Sequence, residues 1–163
     1  MSIRLGDILV ARGILTEEQR DEALRVQDGR ARPFGAIVEQ LFGVTPDAIE
    51  QAWGEQYAEH AERISPTLAN VHPITRSIID RRQAWQFSVI PIRFDGPELV
   101  CVTTPDALAR AMRFVCWRVD RQVRFGICDD DQMARGLERL YPLRGVTLES
   151  LIDTIGDLSA RSA

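Results

Sequence analysis

Lysine is absent from this chain of 163 residues, and all 20 of its basic side chains are arginines. Schiff-base chemistry and a phosphate-loop lysine are therefore excluded. Histidine is nearly as scarce. His60 sits in the polar run Glu59-His60-Ala61-Glu62 and His72 precedes Pro73 in a loop, so both read as solvated side chains. Without further close-spaced ligands or a nucleophile beside a base, no catalytic residue and no metal ligand is assigned. The three cysteines, Cys101, Cys116 and Cys128, are odd in number, have no close pairing and stand in apolar surroundings, which predicts buried, reduced structural thiols. No stretch approaches the roughly 20 consecutive apolar residues of a spanning helix, so no direct membrane insertion is expected. Asp7 falls where a secretory signal needs an uninterrupted apolar region, which points to a cytoplasmic protein.

What is present is a core-forming composition, 45% apolar and 27% charged. That apolar fraction excludes a disordered chain. A net charge of −4 gives no overall attraction to a DNA or RNA polymer, although a local basic site is compatible with it. Neither G-x-x-x-x-G-K-[ST] nor G-x-G-x-x-G occurs, so the chain carries no recognisable machinery for nucleotide hydrolysis.

The most informative feature is an imperfect repeat, seen when Gly6 is laid over Gly35 at an offset of 29. Leu5-Gly6-Asp7-Ile8-Leu9 then falls on Phe34-Gly35-Ala36-Ile37-Val38, Leu15-Thr16 on Val44-Thr45, and Ala23 and Gln27 on Ala52 and Gln56. Each copy reads as a helical hairpin. In the first, a helix over 5–12 stops at Gly13, and Thr16 with Gln19 forms a capping box for a helix reaching 27. In the second, Gly43 is the stop, Thr45 the cap and Pro46 the first helical residue of a helix running towards Arg63. A pair of similar hairpins suits a pseudo-twofold ligand. Arg4 has a planar guanidinium that can stack on a base or bind phosphate, Gly6 admits a flat ligand to the backbone, Leu9 and Leu24 form an apolar shelf, and Gln27 can meet a base edge.

After Pro66 the pattern changes to an α/β region. Helices are expected over 74–82, 106–115 and 130–140, with strands over 88–94, 99–103 and 122–127. Asp95-Gly96 signals a hairpin, and Pro91 an edge strand or a bulge. Asp129-Asp130-Asp131 reads as a helix cap rather than a metal site. For Trp53, Trp85 and Trp117 core packing is the default reading, beside a role in the site. Leu148, Leu151, Ile152 and Ile155 form one helical stripe over 147–158, with Glu149, Asp153 and Asp157 outside it.

The pattern Arg4-Leu5-Gly6-x-x-Leu9-x-x-x-Gly13, followed by Leu24-x-x-Gln27, resembles the duplicated motif of the MshEN domain, the N-terminal module of type II secretion and type IV pilus assembly ATPases. The resemblance extends through Phe87–Arg93, Leu99–Pro105 and Met133–Tyr141, and so covers residues 3 to 142. It implies an α/β (α+β) fold, with tandem helical hairpins over 1–63, a small α/β subdomain with a three- to four-stranded sheet over 64–142, and a linker or tail with a short amphipathic helix over 143–163. It also implies a non-catalytic regulatory module, whose ligand-binding members hold half of cyclic di-GMP on each motif.

Carried over residue by residue, the first motif supplies Arg4, Leu5, Gly6, Leu9, Leu24 and Gln27, with Arg20 where the family usually has leucine. One apolar contact is expected to be lost there. The second motif supplies Phe34, Gly35, Val38, Ile49, Trp53 and Gln56. Pro33 replaces its leading polar or basic residue, and Arg32 is the substitute charge if the loop turns inward. The alternative is a protein–protein docking module of a secretion or pilus system that has lost the nucleotide. Its partner is then a machinery protein or an attached or separate ATPase, and any ATPase activity requires a further domain.

Overall fold

The computed structural model describes residues 4–29 and 31–143. Four helices come first: α1 (Leu5–Ala11), α2 (Glu17–Asp28), α3 (Phe34–Phe42) and α4 (Pro46–Ala58). Their boundaries follow from local chemistry. Gly13 and Gly43 take φ of 69° and 66°, left-handed positions that let the chain leave α1 and α3 without a Cβ clash. Thr16 accepts from the Gln19 backbone and the Gln19 side chain accepts from the Thr16 N–H, closing the expected capping box, while Thr45 caps α4 alone. The α4 helix ends at Ala58, short of Arg63, because residues 62–64 leave it for a sheet edge. Ile64 N–H donates to the Ile127 carbonyl and Ile127 N–H to the Glu62 carbonyl, a bridge that gives the sheet a fourth, minimal member.

The helices pair across the repeat. The principal packing is of α1 on α4 and of α2 on α3, so each first helix lies against the second helix of the other copy. Exchanging the two copies maps one contact onto the other, which is the pseudo-twofold the repeat suggested. Ile8, Leu9, Leu15 and Ala23 meet their counterparts Ile37, Val38, Val44 and Ala52 in one buried cluster.

The second half is built on a three-stranded sheet in the order β1-β2-β3, with β1 (Val89–Asp95) antiparallel to β2 (Glu98–Thr103) and β2 parallel to β3 (Val123–Ile127). Helices α5 (Pro73–Arg76), α6 (Arg81–Phe87), α7 (Leu108–Arg118) and α8 (Asp130–Leu140) complete it, giving an α/β fold. The register shifts between Pro91 and Arg93 on the edge strand β1, as a proline without an N–H requires. Asp129 caps α8 through a capping box with Gln132, and Asp130 and Asp131 occupy its first turn. The segment 147–158 lies outside the described residues.

Three expectations change. The single helix over 74–82 is two short ones, because Asp80 caps a new start through Gln83. Cys116 is exposed and Trp117 is 81% exposed, against the buried thiol and core tryptophan expected. The cause is helical phase: Ala111, Phe114 and Val115 face the sheet, so 116 and 117 turn away despite the apolar run. Cys101 and Cys128 are buried, and burial pushes each thiol up to about 12, so neither is a thiolate at neutral pH.

Charge pairs tie the 62–64 segment to the sheet. Arg124 Nη1 lies 2.6 Å from Glu62 Oε2 and its Nη2 2.6 Å from Asp95 Oδ2, while Arg93 Nη2 approaches Glu62 Oε1 at 3.2 Å. The Arg124 hydrogen bond, with Arg93 adding to it, holds the Glu62 carboxyl below its ordinary value of 4.5 despite some desolvation. A depressed carboxylate contributes stability that is present above its unfolded pKa and is lost as pH falls through the folded one. Glu62→Gln is therefore expected to flatten the loss of stability below about pH 4.5, measured as urea midpoints across that range.

Candidate functional site

A pocket of about 150 Å³ opens at the first motif, lined by Arg4, Leu5, Gly6, Asp7, Arg20, Leu24, Gln27 and Phe34. Arg4 is the exposed residue before α1, in extended backbone, and makes no side-chain capping bond. Leu5 and Gly6 follow on the first turn. Leu24 and Gln27 come from α2, one helical turn apart, and Phe34 comes from the start of α3. That last contribution is a consequence of the α2–α3 pairing: a second-copy residue completes the first-copy pocket.

The two glycines occupy equivalent crevices. A Cβ on Gly6 would lie 3.0 Å from Arg20 Cγ and 3.1 Å from Phe34 Cζ, and one on Gly35 would lie 3.0 Å from Ile49 Cγ2. Arg20 and Ile49 are related by the same offset of 29 as the glycines. The arginine that stands for a leucine therefore keeps the apolar contact expected to be lost: its stem covers Gly6 while its guanidinium turns outward. Arg20 Nη1 lies 3.2 Å from Asp7 Oδ1 and Nη2 2.9 Å from Asp21 Oδ1, and the Asp21 hydrogen bond raises its pKa.

Polar groups at the pocket floor are partly engaged. Gln27 Nε2 donates to the Arg32 carbonyl at 3.2 Å, and among the described residues its second N–H and its carbonyl oxygen make no further hydrogen bond. Arg32 does not turn inward; its Nη1 donates to Gln40 Oε1 at 2.7 Å on α3. Leu9 and Val38 have no exposed surface and lie inside the hairpin core, so they support the shelf from behind rather than line it. On the second motif, Phe34, Gly35 and Ile49 are half-buried, as is Gln56 on α4. Trp53 packs against the sheet half, its ring 5.9 Å from that of Tyr57 and tilted by 41°. The lining by Asp7 and Arg20 was not anticipated; the equivalence of Arg20 with Ile49 across the repeat was the available signal.

Elsewhere, His60 is exposed beside Glu59, and the exposed His72 uses its ring Nδ1 to accept from the Ile74 N–H at the start of α5. No group of metal-ligating side chains assembles among the described residues. Among them, no helix is long and apolar enough to cross a membrane.

No family model matches the chain. In sequence it is similar to the type IV pilus assembly ATPase PilB of Myxococcus xanthus, at 20% identity over 157 residues, which are 96% of this chain and 27% of that protein. It is also similar to bacteriophage adsorption protein B of Escherichia coli K12, at 28% identity over 143 residues, covering 86% of this chain and 18% of that protein. The chain thus spans about a quarter or less of these curated relatives. Among solved structures, MshE with cdg aligns at a TM-score of 0.49 and 24% identity, covering 85% of this chain and 99% of that one. The N-terminal domain of XpsE aligns at 0.45 and 15%, covering 86% and 100%.

Proposed function

We propose that this chain is a non-catalytic, cytoplasmic regulatory module of a secretion or pilus machine that binds cyclic di-GMP across its two repeated motifs. The observation that carries the reading is the pocket between Arg4, Leu5, Gly6, Leu24 and Gln27, set at one end of a pseudo-twofold pair of hairpins. A ligand with two equal halves matches a receptor with two related halves. The volume of about 150 Å³ fits this use. Pockets for whole drug-sized ligands run to roughly 300–1,000 Å³, so this one suits a single ring system, half of a dinucleotide.

The chemistry at the first motif fits a guanine and its phosphate. Arg4 has no competing capping bond, and a guanidinium stacks on a base face or pairs bidentately with phosphate. Leu5, Leu24 and the Phe34 ring supply apolar walls, and Gln27 retains a donor and an acceptor for a base edge. The second motif contributes less. Arg32 is engaged by Gln40 and Trp53 by the sheet half, so the first motif carries most of the affinity.

Isothermal titration of the purified chain with cyclic di-GMP tests this, with GTP and cyclic di-AMP as controls. Selective binding at micromolar affinity or tighter is expected. Arg4→Ala should weaken it at least tenfold, about 1.4 kcal/mol, and Arg32→Ala should leave it within about twofold. No heat and no thermal shift at millimolar ligand would sink the nucleotide reading. The engagement of Trp53 by the sheet half favours one alternative, a docking module for a machinery protein or an ATPase. In that case Arg4→Ala leaves partner binding intact.

A further inference from the structure

The side of α7 turned away from the sheet carries Arg110, Arg113, Cys116 and Trp117, all exposed. Trp117 is the most exposed large apolar side chain among the described residues. Arg113 and Arg110 stand one and two helical turns before it on the same side. Arg113 is held by Glu50, whereas among the described residues Arg110 and Arg118 have no ion pair. Residues 107–122 contain four arginines and a single acid, Asp120. The charge of the whole chain is divided in the same sense: residues 1–63 hold 12 acids and 7 arginines, and residues 64–142 hold 9 and 11. A protein of net charge −4 thus has a net positive half, and α7 belongs to it.

We propose that this face of α7 rests on an anionic lipid bilayer, with the Trp117 ring at headgroup depth and Arg110 and Arg118 on lipid phosphates. The mixture of residue types decides between partners. A protein interface has an apolar core from which charge is depleted, and here the one large apolar ring stands among arginines with only Ala109 and Cys116 beside it. A single-stranded nucleic acid needs successive aromatic rings to stack its bases, and α7 exposes one. A bilayer interface requires neither. An indole settles there through its apolar ring and its N–H without a matching pocket, and long guanidinium side chains reach phosphates to either side. The contact stays at the surface, because Ala111, Phe114 and Val115 keep the opposite side of α7 packed in the sheet core. Charge complementarity with acidic headgroups supplies the attraction, so the contact is reversible and sensitive to salt.

Co-sedimentation of the intact chain with vesicles of equal parts phosphatidylglycerol and phosphatidylcholine, set against vesicles of phosphatidylcholine alone, decides the matter. Binding is expected to the first and not to the second, with tryptophan emission shifted to the blue as Trp117 leaves water. Trp53 and Trp85 are partly buried against the sheet core and give a constant background. Trp117→Ser should weaken binding about tenfold and remove the shift, and Arg110→Glu combined with Arg118→Glu should weaken it at least as much. All three positions are exposed, so the variants keep the melting temperature of the unsubstituted protein. Raising salt to about 0.5 M should release the protein from the vesicles. No binding to the anionic vesicles at low salt overturns the proposal, as does binding that either Trp117→Ser or the double glutamate variant leaves unchanged. A Trp117-dependent dimer by light scattering without vesicle binding also overturns it, since the face then meets a second copy of the chain.

Discussion

Gly54→Val is expected to cost about 3 kcal/mol of folding stability and Gly54→Ala about 2 kcal/mol, because alanine recovers roughly 1 kcal/mol of helix propensity. Gly54 lies inside α4, where a Cβ would stand 2.2 Å from the Pro105 carbonyl oxygen and 3.2 Å from its carbon. The obstacle is backbone, which cannot rotate away as a side-chain tip does. This is the point at which α4, a member of the hairpin pseudo-twofold, meets the loop leading into α7. Arg113 on α7 also pairs with Glu50 one turn earlier on α4. Widening the approach would change the angle between the two halves as well as the stability. Gly29→Ala is the control, since its added Cβ meets only the Val26 carbonyl oxygen at 3.9 Å. Urea midpoints of the three variants give the test: a Gly54→Ala midpoint at or above that of the unsubstituted protein would show that α4 and the Pro105 loop do not approach so closely.

Legibility in the sequence followed the range of the interactions. Helix stops and starts in the first half were readable because each is a local event: Gly13 and Gly43 in left-handed backbone, Thr16 and Thr45 accepting from residues three positions on. The edge proline and Asp129 cap were readable for the same reason. The exchanged pairing of α1 with α4 and of α2 with α3 was not, because periodicity gives each helix an apolar face without naming its partner. That pairing decides the candidate site: it brings Phe34 into the first-motif pocket and turns Leu9 and Val38 inward. Arg32 shows the same limit on a smaller scale. Its charge was legible, but its direction depends on Gln40, eight residues away on the next helix. Trp117 and Cys116 were misread because composition suggested burial where the phase of α7 dictates exposure.

Leu9→Ala is expected to lower stability by about 2–5 kcal/mol, and to do so for the whole molecule. Leu9 has no exposed surface, and its carbonyl accepts from both Ile14 and Leu15 at the turn into α2. Its counterpart Val38 holds the same position in α3, and its carbonyl accepts from Val44. Val38→Ala removes fewer carbons and should cost about 2 kcal/mol. The global effect follows from α4. Ala52 faces the hairpin core while Trp53, Tyr57 and Ala58 pack against the sheet core, and the Tyr57 hydroxyl donates to the Phe125 carbonyl at 2.9 Å. One helix thus belongs to two cores, and neither can lose it alone. Thermal melting of Leu9→Ala should show far-UV ellipticity and the amide protection of β2 falling in a single, lowered transition. Loss of protection in α1 and α3 while β2 keeps its own would mean that the halves unfold separately. A ligand at the Arg4 pocket would then stabilise only the hairpins, whereas coupling through α4 lets occupancy at that pocket reach the sheet half.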